Sequence, residues 1–139
     1  MYSDYTKARR IPSANLLVSQ FQRESETWKR TLEFLTEEDV NLKVRLSEIL
    51  KSMDQRDDSL LERFEHFHNR LLKENETIGF LRLEVIQAEK QLIQNFSVDV
   101  DWLKDIQNKQ MKLRKDMEKA ELEFHKLKFD FNNYISEIL

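Results

Sequence analysis

LLERFEHFHNRLLKENETIGFLRLEVIQAEKQL, residues 60–92, sets Leu60, Phe64, Phe67, Leu71, Ile78, Leu81, Val85, Ala88 and Leu92 at steps that alternate between four and three. Only Glu74 interrupts the series. A mean step of 3.5 keeps side chains on one stripe of an α-helix, whereas a strand would need a step of two. Upstream the same rhythm carries Ala14, Val18, Phe21, Trp28, Leu32, Leu35, Leu42, Leu46, Ile49 and Met53, broken at Ser25 and Asp39. Downstream it carries Leu103, Ile106, Leu113, Met117, Ala120, Phe124, Leu127, Phe131, Tyr134 and Ile138, broken at Gln110. With 40% apolar residues overall, chance would fill well under half of these positions.

Three helices follow, over about 13–53, 59–96 and 99–138. At 1.5 Å per residue each spans roughly 60 Å. The short connections make consecutive helices antiparallel, so the expected fold is all-α: an elongated antiparallel three-helix bundle, or coiled coil. Residues 13–139 read as one domain behind a flexible N-terminal tail, 1–12.

Helix starts are written locally. Pro12-Ser13 precedes the first apolar run, Ser59 and Glu62 have capping-box spacing, and Asp99 is the third expected cap, with Val98 and Leu103 placed for a hydrophobic staple. The turn Asp54-Gln55-Arg56-Asp57-Asp58 separates the first two helices. Thr36-Glu37-Glu38-Asp39 offers another start, which would split the first helix and give a four-helix bundle. The heptad phase runs through Thr36 without a slip, and this favours one long helix.

Composition narrows the chemistry. The 139 residues include one Gly, one Pro and no Cys. Gly-rich phosphate loops, disulfides and thiolate metal sites are thereby excluded. A net charge of −3 argues against a nucleic-acid-binding body. Lys7, Arg9 and Arg10 form a small basic handle on the tail, and weak nucleic-acid contact through it is one alternative function. On the third helix, Lys104, Lys109, Lys112, Lys115, Lys119 and Lys126 are interleaved with Asp105, Asp116, Glu118 and Glu123, as on a solvated exterior. The first dozen residues lack a secretory apolar run, and no stretch has the roughly eighteen apolar residues of a membrane span. A cytoplasmic location is expected.

The polar breaks in the stripes are candidate sites. Folding the rods back places Ser25 level with Gln110, where a hydrogen bond between them would fix register. Asp39 and Glu74 fall about one turn apart, with Lys43 and Arg70 available as ion-pair partners. A general acid and base would need a cleft that a packed bundle lacks, so no catalytic residue, cofactor or enzymatic activity is expected. Glu65 and His68 have the Glu-x-x-His interval of metal-binding bundles, but Glu121 and His125 are four apart and supply no second copy. A surface site from His68, His125 and Glu121 is the basis of a second alternative, a metal- or small-ligand-binding bundle.

A second apolar row lies off the core stripe. Leu72, Gly79, Leu83, Ile86 and Ile93 share one side of the second helix, with Phe80 at its border. Leu122 and Phe129, seven apart, add to it from the third helix, and Val40 and Val44 do likewise on the first. A helix apolar on two sides usually has neighbours on two sides. Gly79 admits a close backbone at a cost of about 1 kcal/mol relative to Ala. The expected function is therefore a protein–protein interaction or scaffold module, in its simplest form a homodimer packed through Leu72, Gly79, Phe80, Leu83, Ile86, Ile93, Leu122 and Phe129.

Overall fold

Helices α1 (Tyr2–Ser52), α2 (Asp58–Gln94) and α3 (Val100–Ile138) pack as an all-α three-helix bundle, with no strand among the described residues. This computed structural model describes the backbone of residues 2–52 and 57–138, and the side chains of 14–52 and 57–138. Met53, the turn residues Asp54, Gln55 and Arg56, and the side chains of Lys7, Arg9, Arg10, Pro12 and Ser13 lie outside the described residues, as does the mobility expected of the tail. None of the described helices is long and apolar enough to cross a membrane.

Helix boundaries depart from the sequence reading at two places. α1 begins at Tyr2 and not at Ser13. Proline removes one backbone donor, but Lys7, Ala8, Arg9 and Arg10 before it are good helix formers. α2 is capped by Asp57 and not by Ser59. Asp57 Oδ1 accepts the N–H groups of Ser59 at 3.0 Å and Leu60 at 3.3 Å, and its carbonyl accepts that of Leu61 at 3.1 Å. A carboxylate placed one residue ahead of the helix satisfies two orphan donors and interacts favourably with the positive end of the helix dipole. Asp99 caps α3 as expected, with its Oδ1 accepting Asp101 N–H at 3.3 Å.

The four-helix alternative does not form, because α1 continues through Thr36. Thr36 Oγ1 donates to the Leu32 carbonyl at 2.8 Å. A hydroxyl that bonds back to the preceding turn is an interior residue, whereas a cap accepts from the turn ahead.

The packing groups the chain into two compact units, residues 1–31 with 81–117, and 32–80 with 118–139. In the first, Val18, Phe21, Leu92 and Ile106 form one buried cluster, flanked by Leu17 and Trp102. Lys29 of α1 bridges to Glu89 of α2 at 3.0 Å and to Glu26 at 2.8 Å. Lys29 holds the Glu26 carboxyl below its usual range, and Glu26 and Glu89 in turn raise the Lys29 ammonium.

The second unit is centred on aromatics. Phe67 meets Phe131 edge-on at 5.7 Å and stacks on Tyr134 at 5.1 Å. Arg63 and Arg70 cover Tyr134 and Phe67 from outside while pairing with Glu137 and Asp130. Those two pairs descend α3 as they ascend α2, so the helices are antiparallel. Every seam residue with a described side chain is buried or half-buried. Each fully buried Leu or Phe contributes about 1.5–3 kcal/mol.

Candidate interaction surface

Ion pairs fix which side of each helix faces which neighbour. In the second unit Arg70 turns one flank of α2 toward α3, and Leu72 and Gly79 lie on the side away from it. Leu72 and Gly79 are exposed there. A Cβ added at Gly79 would meet nothing within 4 Å. Phe80 is exposed nearer the α3 side.

Leu122 and Phe129 occupy a different face. On α3, Asp130 marks the flank toward α2 and Lys128, bridged to Glu38, the flank toward α1. Phe129 sits midway between those flanks on the outermost strip, and Leu122 lies two turns before it. They are 66% and 70% exposed. The structure therefore does not bring them together with Leu72 and Gly79. Val40 and Val44 are also exposed, and so is Phe34, which the heptad reading passed over.

In the first unit Leu83 is 64% exposed and Ile93 is 62% exposed. Ile86 is half-buried. It lies three residues before Glu89, on the flank of α2 that Lys29 bridges to α1.

The predicted polar layer rearranges. Ser25 and Gln110 are both buried, but they do not bond each other. Gln110 Nε2 donates to Glu24 Oε1 at 2.9 Å, and Arg114 grips both Glu24 oxygens at 2.9 Å. A carboxylate attracts these longer donors more strongly than a hydroxyl does, and Ser25 Oγ is left without a partner. The Glu24–Arg114 clamp was hidden in the sequence, because both residues flank the apolar stripe.

Asp39, Glu74 and Glu123 bring one carboxylate from each helix into the second unit. Asp39 is 0% exposed, and Lys43 approaches its Oδ2 at 2.9 Å as expected. Burial pushes the Asp39 carboxyl up, against the opposing pull of Lys43. Burial also raises Glu74, aided by the charges of Glu123 and Asp39. Arg70, the partner expected for Glu74, pairs instead with Asp130.

Among the described residues no group of three acids or histidines stands close enough to hold a metal ion, so His68, His125 and Glu121 do not converge. A cleft of about 410 Å³ in the second unit is lined by Arg63, Phe67, Arg70, Asp130, Tyr134 and Glu137. Its two guanidiniums already face carboxylates. Compared with known protein families, with curated proteins and with solved structures, the chain matches none.

Proposed function

We propose that this chain is a non-catalytic helical-bundle module for protein–protein interaction or scaffolding in the cytoplasm, and that it self-associates through the outer apolar row of α2. The observation that carries this reading is the exposure of Leu72, Leu83 and Ile93 along one helix whose opposite stripe is already packed. Leu122 and Phe129, on their own face of α3, are a second contact area and not an extension of the first.

The mechanism is burial of apolar side chains against another helix, with charged flanks selecting partner and direction. Helix-in-groove recognition needs anchors one and two turns apart on a rigid support, and α2 supplies both. The open space over Gly79 supports close approach of a second backbone.

The test is light scattering of the purified chain over a wide concentration range, beside Leu83→Glu. Rising mass for the native chain, absent in the variant, is the expected result. A native chain that stays monomeric at the highest concentrations, or a variant that associates equally well, overturns the proposal.

A further inference from the structure

On the outward side of α1 in the second unit, Glu33, Glu37, Val40, Val44, Ser47 and Lys51 follow one another at steps that alternate between four and three. Their alignment follows from the repeat of one uninterrupted helix. All six are exposed, Val40 at 49% and Val44 at 52%. Glu38, which bridges to Lys128, marks the flank of α1 toward α3, and the two valines lie away from it. Leu72 and Gly79 of α2 also lie away from α3, so within this unit both strips border the side opposite α3.

The spacing reads the same from either end, with its midpoint at Leu42. In an antiparallel pair of α1 helices related by a two-fold axis at that level, each residue meets the one equally far beyond the midpoint. Val40 then faces Val44 of the second copy, Glu37 faces Ser47, and Glu33 faces Lys51 at both ends. Other arrangements are worse. Moving the axis about half a turn toward the C-terminus sets Glu48 opposite Val40, which strips a carboxylate of water. Moving it as far the other way parts Lys51 from Glu33. Parallel pairing sets Glu33, Glu37 and Lys51 each against its own copy. Laying α1 on α2 of the copy fails as well. The charge of Asp39 acts on Glu74 across the two helices, so Glu37 and Glu76, each two residues away in the same direction, are level. A two-fold axis parallel to the helices would set these carboxylates against each other.

Resting on the self-association read from α2, we infer that the second copy covers α1 as well, with the two α1 helices antiparallel about Leu42 and Glu33 of each copy facing Lys51 of the other. Four valines and two surface ion pairs make a small contact, so it orients the dimer and does not hold it alone.

Charge reversal tests this contact on the full chain, with dimerisation read by sedimentation. Glu33→Lys and Lys51→Glu should each weaken it about fivefold, since symmetry turns two attractions into two repulsions, and the double variant should restore it. Circular dichroism checks that each variant is folded. Because the chain has no cysteine, disulfide trapping gives a second readout. Mixed Glu37→Cys and Ser47→Cys chains should cross-link to each other. Either variant alone should not, since its two thiols would lie roughly 15 Å apart along the pair. Single reversals without effect, a double variant as weak as the singles, or homotypic cross-linking of Glu37→Cys would overturn the α1 contact. If Leu83→Glu still abolished association in that case, self-association through α2 would stand and only its extension to α1 would fall. A native chain that stays monomeric removes both.

Discussion

Asp39 Oδ2 lies 2.9 Å from Lys43 Nζ, yet neither oxygen of this fully buried carboxylate receives a well-directed hydrogen bond. Glu74 and Glu123 add negative charge from the other two helices, and the charge of Asp39 in turn disfavours ionisation of Glu74. The layer is a point of weakness in a largely apolar seam, one that protonation relieves.

Its pH dependence follows from the direction of those shifts. Asp39 and Glu74 are both raised above their ordinary values of 3.8 and 4.5, so the folded chain takes up their protons before the unfolded chain does. Stability contributed by this layer therefore rises as pH falls through the raised values, and it levels off near the unfolded ones. Asp39→Leu should stabilise the chain by about 1–3 kcal/mol at pH 7. That advantage should shrink toward pH 4, as seen by thermal unfolding across the range. An advantage independent of pH would contradict the burial of an ionised carboxylate.

Ser25→Ala removes a buried hydroxyl that has no partner and introduces a better helix former. It should raise stability by about 1 kcal/mol in urea unfolding. Gln110→Ala should instead cost about 1–3 kcal/mol, because it opens a cavity and takes one donor from Glu24. A loss on Ser25→Ala would mean that the hydroxyl has a partner after all.

Phe131 and Phe129 differ by two positions and by nearly everything else. Phe131 is buried against Phe67, while Phe129 faces outward. Phe131→Ala should lower stability by about 3–5 kcal/mol. Phe129→Ala should change it by no more than about 0.5 kcal/mol at low concentration. Denaturant melts of the two variants compare them directly.

The architecture was legible because a seam position announces itself by repetition. From Ala14 to Ile49, and likewise on α2 and α3, the stripe named the core without reference to any distant residue. Asp99 was legible as a cap for the same local reason. What escaped depended on side-chain competition. Asp57 displaced Ser59 because an acceptor one residue ahead of the helix start reaches two N–H groups at once. Gln110 passed over Ser25 for Glu24, a choice set by charge and reach that periodicity does not encode. The outer residues were identifiable as apolar and aligned, but their distribution over separate faces emerged only from the ion pairs of Arg70 and Lys128.

Sedimentation equilibrium on the native chain and Leu83→Glu, loaded at several concentrations, bears most directly on α2 as an association surface. The predicted result is a native monomer–dimer equilibrium that the glutamate shifts to monomer, with helical content unchanged in both. Equal dimer fractions in the two proteins, or a native chain that sediments as monomer throughout, would contradict it.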